Sequence, residues 1–114
     1  MNTQQSNSGQ NEPSRMQQYR LQLKSISNKL RVLANANGRK DVSINQLLRE
    51  CYQLKNKKLM TLEEWNSQNY SVKKGQHAYL FWGTPVKSDK GYEYCPLAFL
   101  FEENQVQLRA QAAN

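Results

Sequence analysis

The side chains in this chain that can do chemistry are cations and flat rings rather than nucleophiles or metal ligands. The single histidine, His77, lies in an alternating stretch with no second His, Cys or acid at metal-ligand spacing, so it reads as structural and a zinc site is unsupported. No serine or cysteine has a nucleophile setting, and no glycine-rich phosphate loop is present. Glu63-Glu64 and Glu102-Glu103 are adjacent acids whose side chains diverge, which does not suit paired acid–base work. The expectation is a protein that is not an enzyme and uses no metal or cofactor.

Cations and rings together serve a different chemistry. A positive groove attracts a phosphate backbone, and exposed rings accept unstacked bases. The basic candidates are Arg39, Lys40, Lys55, Lys57, Lys58, Lys73, Lys74 and Lys87; the aromatic candidates are Tyr70, Tyr79, Trp82, Tyr92 and Tyr94. Trp65, Phe81, Phe99 and Phe101 are expected in the core, because large apolar rings are seldom left in water in so small a domain.

Charge supports a polyanionic partner. The net charge is +7, and residues 15–58 hold eleven of the sixteen Lys and Arg against two acids, Asp41 and Glu50. Residues 59–101 are balanced, four against four. Such an excess speaks to partners and not to fold. Counterion release alone does not separate single-stranded DNA from double-stranded DNA or RNA. No apolar run approaches the roughly 20 residues of a membrane span, and the N-terminus lacks a secretory signal pattern. Cytoplasmic residence is expected, with Cys51 and Cys95 as two buried free thiols.

The elements that must position these groups follow from spacing. Residues 1–13 are polar and aperiodic and read as a disordered tail. Ser14 and Gln17 have capping-box spacing, and Met16, Tyr19, Leu23, Ile26, Leu30 and Leu33 make one apolar helical stripe that Asn37-Gly38 ends. A second stripe, Arg20, Lys24, Ser27 and Arg31, reads as solvated. Ser43 and Gln46 open a second helix with Ile44, Leu47, Leu48, Cys51 and Leu54 inward, and Lys55, Lys57 and Lys58 follow its end. Thr61 and Glu64 open a short helix with Leu62 and Trp65 inward. Tyr70 and Val72 lead to a Lys73-Lys74-Gly75 turn. A β-hairpin then alternates from His77 to Trp82, turns at Ser88-Asp89-Lys90-Gly91, and returns from Tyr92 to Phe101 with a bulge or edge position at Pro96. Both hairpin faces are apolar or aromatic. Residues 108–114 read as a frayed tail. The predicted class is α+β, with two longer helices and one short helix packed on a small antiparallel sheet.

Three blocks of this sequence resemble the N-terminal, single-stranded-DNA-binding domain of the antirestriction protein ArdC family. They are Asn37-Gly38-Arg39 through Ser43-Ile44-Asn45-Gln46-Leu47-Leu48, Met60-Thr61-Leu62 through Val72-Lys73-Lys74-Gly75, and Ala98-Phe99-Leu100-Phe101 to Gln105-Val106. With the leading helix the likeness covers residues 15–107. It implies sequence-tolerant binding of single-stranded DNA, and for relatives on mobile elements it implies protection of incoming DNA from restriction during transfer. It adds Asn45 and Gly75 to the site candidates and supports Arg39, Lys73 and Lys74. The family's tryptophan after the first helix has no counterpart at Leu33-Ala34-Asn35, and Ser43 stands where the family has glycine. The likeness does not extend to the metalloprotease-like domain of full-length relatives.

The two-sided apolar hairpin motivates an alternative: a protein-interaction module acting on a restriction or conjugation protein.

Overall fold

A computed structural model describes residues 14–110; the tail expected over residues 1–13, and the last residues of the expected C-terminal tail, lie outside them. The chain folds as expected into an α+β domain. Helix α1 (Arg15–Ala36) starts where the capping box places it. The Ser14 hydroxyl accepts from the Gln17 N–H at 3.1 Å and the Gln17 side chain accepts from the Ser14 N–H at 2.7 Å. Only the middle of its apolar stripe is buried. Leu23 is fully enclosed and Ile26 and Leu30 pack beside it, whereas Met16 and Leu33 at the two ends are exposed. Past the helix, the Arg39 N–H reaches the Ala34 carbonyl at 2.7 Å and Gly38 takes φ +75°. This is a Schellman end, in which glycine tolerates the left-handed step.

The second stripe of α1 is solvated only in part, with Lys24 exposed. Ser27 is buried, and the Arg31 guanidinium donates to the carbonyls of Lys40 and Val42, strapping the following loop to the helix. Helix α2 (Ile44–Cys51) begins at Ser43, whose side chain accepts from the Gln46 N–H. Gln46 does not complete the box and instead donates to Glu50. Leu47, Leu48 and Leu54 are buried, but Cys51 is exposed and Cys95 half-buried, so the two thiols are free without being core.

The sheet is larger than the expected hairpin. Strand β1 (Leu59–Thr61), unforeseen from the sequence, runs straight into helix α3 (Leu62–Ser67), and strand β2 (Tyr70–Val72) follows. Strands β3 (Tyr79–Trp82), β4 (Val86–Lys87), β5 (Glu93–Tyr94), β6 (Leu97–Glu102) and β7 (Val106–Leu108) complete the domain. β6 is central, antiparallel to both neighbours in the order β1-β6-β3. β2 pairs with β7 through Tyr70 opposite Leu108, so ordered pairing reaches one residue past the expected boundary. The hairpin splits in two: β3 and β6 form the inner ladder and β4 and β5 an outer ribbon. Pro96, which cannot donate to a ladder, sits at the break, where its carbonyl accepts from the Gly83 N–H at 2.7 Å.

Leu23, Leu48, Leu54 and Phe81 form the central cluster, and enclosing each Leu or Phe side chain stabilises the fold by about 1.5–3 kcal/mol. Trp65 is buried from α3, its indole donating to the Phe101 carbonyl at 2.9 Å, whereas Leu62, expected inward, is exposed. Buried Gln105 pins the far end of β6: its side-chain oxygen accepts from the Glu102 N–H and its amide donates to the His77 carbonyl. No described helix is long and apolar enough to cross a membrane.

Candidate nucleic-acid interface

The Lys73-Lys74-Gly75 turn forms as expected. The Gln76 N–H bonds the Lys73 carbonyl at 3.2 Å, with Gly75 at φ +87°; a glycine at the third position is what a type II turn requires. Lys74 is exposed. The Lys73 ammonium donates to the Asn104 carbonyl at 3.1 Å, and the Lys58 N–H donates to the Glu103 carboxylate at 3.0 Å. The short turn Glu103–Gln105 therefore gathers two candidates from segments distant in sequence. Lys58 also lies 5.8 Å over the Trp65 ring. Lys55 is exposed, and Lys57 is half-buried with its carbonyl held by Arg49.

Arg39 and Lys40 lie apart from this group, in the loop between α1 and α2. Lys40 is exposed, but the Arg39 fork is engaged with both oxygens of Glu50 at 2.9 Å. That hydrogen bonding, with a further bond from Gln46, holds the Glu50 carboxyl down at about 2.

Four candidates make contacts within the fold. Asn45 is not free to meet a ligand: its amide donates to the Trp82 carbonyl at 2.8 Å and its oxygen accepts from the Trp82 N–H at 3.0 Å. Trp82 is held on its other sides too. The indole N–H donates to the Ser27 hydroxyl at 2.9 Å, and the Arg20 guanidinium sits 5.2 Å from the ring centroid while donating to the Cys95 carbonyl. A base has no free Trp82 face on that side to stack on. Tyr79 is half-buried and leans on Tyr52, with ring centroids 5.3 Å apart; Tyr70 packs edge-on against Trp65.

The remaining candidates share the β4–β5 ribbon. Tyr92 is 60% exposed and Tyr94 42%, with centroids 6.1 Å apart. Alternation puts both tyrosines on one ribbon face with Val86, which is opposite Tyr94 and also exposed. Lys87 is exposed and lies opposite Glu93 on the other face. The ribbon and the Lys58–Lys73 group are at opposite ends of β6, a six-residue strand of about 20 Å. The candidates thus form two groups rather than one.

The acids explain why so much positive charge is unpaired. Among the described residues the one ion pair is Arg39–Glu50. Glu64, Glu102 and Glu103 accept instead from the backbone N–H groups of Thr61, Asn104 and Lys58. Sequence reasoning missed Arg20 and Ser27 as the setting of Trp82; no local signal marks a helical arginine that will meet a ring far along the chain.

No family model matches the chain, and no curated protein or solved structure matches it either.

Proposed function

We propose that this domain binds single-stranded DNA without reading its sequence. The observation that carries this is the pairing of uncompensated charge with open rings. The carboxylates of Glu64, Glu102 and Glu103 are spent on backbone N–H groups, while Lys55, Lys74 and Lys87 stay exposed and Tyr92 and Tyr94 present a ring pair to solvent. Cations attract phosphates and release counterions; rings hold bases of any identity. The two groups are about 20 Å apart along β6, a span suited to the roughly 4–16 nucleotides that small single-strand-binding domains occupy. The likeness of residues 15–107 to the ArdC N-terminal domain points the same way and suggests a role in protecting transferred DNA from restriction on a mobile element.

The test is fluorescence anisotropy with a labelled oligonucleotide at two salt concentrations. Three neutralised phosphates give a log–log slope of about −2, a loss near twentyfold between 50 and 200 mM salt. Binding indifferent to salt would refute the proposal.

A second reading rests on the same ribbon. Val86, Tyr92 and Tyr94 form an exposed apolar face, which also suits a protein partner of the restriction or conjugation machinery. Under that reading Tyr92→Ser/Tyr94→Ser leaves oligonucleotide affinity unchanged.

A further inference from the structure

Along the outer edge of β3 runs a groove of about 390 Å3, between Tyr19 and Gln22 of α1 on one side and Tyr52 on the other, with Tyr79, Leu80 and Phe99 also lining it. Its size is that of a small-ligand pocket. No Lys, Arg, Asp or Glu lines it. Tyr52 is a fixed wall, because its hydroxyl donates to the Leu80 carbonyl at 2.8 Å.

The strand edge in this groove is almost fully occupied, and that decides what can enter. Trp82 turns its N–H and C=O outward to Asn45. Leu80, two residues earlier, turns the same way. Tyr52 has taken its carbonyl, and its N–H has no partner among the described residues. An added polypeptide strand needs a run of alternating donors and acceptors, which Asn45 and Tyr52 have blocked. A strand N–H left open beside aromatic walls suits a single flat ring that carries a carbonyl or ring nitrogen.

The groove also adjoins the cationic turn. His77 and Ala78, which line it, directly follow the Lys73–Gln76 turn. Gly75 and His77 are two residues apart, a separation of about 7 Å between Cα atoms at most. A phosphate on the exposed Lys74 therefore has its own nucleotide within reach of the groove, which is lined by no Lys, Arg, Asp or Glu while its rim carries Lys74.

We infer that this groove holds one unstacked nucleobase, with an acceptor on the base facing the Leu80 N–H and the adjoining phosphate at Lys73 and Lys74. The inference rests on the single-strand reading, and its test separates the two. In a 15N titration of the full chain with a thymidine 12-mer, the amides of Gly75, Ala78 and Leu80 shift together, and an abasic oligonucleotide of equal length shifts Gly75 but not Leu80. Gln22, exposed on α1, allows the groove to be filled without touching the core: Gln22→Trp weakens 12-mer binding roughly tenfold and leaves the salt slope unchanged. Shifts at Lys74 and Gly75 with Ala78 and Leu80 still overturn the groove assignment while single-strand binding stands. A chain that ignores the 12-mer overturns both. If Gln22→Trp does not fold, the titration of the unaltered chain decides.

Discussion

Asn45 grips the backbone of Trp82 with both polar atoms of its side chain, at 2.8 and 3.0 Å, so the first turn of α2 closes the open edge of β3 as a neighbouring strand would. Unpaired strand edges invite association, and here one amide occupies both groups at this position. Asn45→Ala strands a half-buried donor and acceptor and should cost about 1–3 kcal/mol, seen as a drop of roughly 4–8 °C in Tm for each kcal/mol. A melt equal to that of the unaltered chain would show the clamp to be idle.

The indole of Trp82 is fixed by Ser27 from one side and Arg20 from another. Ser27→Ala leaves the indole N–H without a partner and should cost on the order of 1 kcal/mol. Arg20→Met removes a cation–π contact worth about 0.5–1 kcal/mol and the bond to Cys95. Trp82 indole accessibility, read by acrylamide quenching, should rise in both variants. Unchanged quenching would contradict this placement.

Tyr92→Ala/Tyr94→Ala removes two exposed rings that touch no core residue in the central cluster. Stability should hold within about 0.5 kcal/mol, as for surface changes generally. Oligonucleotide affinity should fall by about 1–3 kcal/mol for each base that loses its ring. Equal affinity would shift the ribbon to the protein-partner reading.

Lys73→Ala/Lys74→Ala tests the cationic end of β6. The turn keeps Gly75 and its backbone bond, so the far-ultraviolet circular dichroism should not change. Without two phosphate-neutralising ammonium groups, the log–log salt slope should flatten by about 1.4. A slope unchanged within error would remove this turn from the interface.

Glu50 links stability to acid. The Arg39 hydrogen bonds hold its carboxyl at about 2, below its ordinary 4.5. A depressed carboxyl favours the folded state above the unfolded value and loses that contribution as pH falls from about 4.5 to about 2. Glu50→Gln should therefore show a shallower fall in Tm across that window than the unaltered chain, with curves that converge at its acid end. Parallel curves would mean the pair has no part in acid sensitivity.

Local chemistry made much of this fold legible in advance. The caps at Ser14, Ser43 and Thr61, the Gly38 helix end and the Gly75 and Gly91 turns each follow from a few neighbouring residues, because an unsatisfied N–H or a positive φ is a local demand. The same spacing showed Leu23, Leu48 and Leu54 as core, Trp65 as buried, and which segments carry the cations. Placement across the sheet was not legible. β1 is three residues without a pattern of its own and exists because β6 offers an edge. Leu62 faces water although its neighbour Trp65 is enclosed. Only tertiary contact decided that Asn45 and Trp82 are bonded to one another, that Lys58 and Lys73 meet at one turn, and that Tyr92 and Tyr94 stand open at the far end of β6. The bonds that fix the first two outcomes join residues 31 to 55 positions apart, and no short window of sequence carries the energy that joins them.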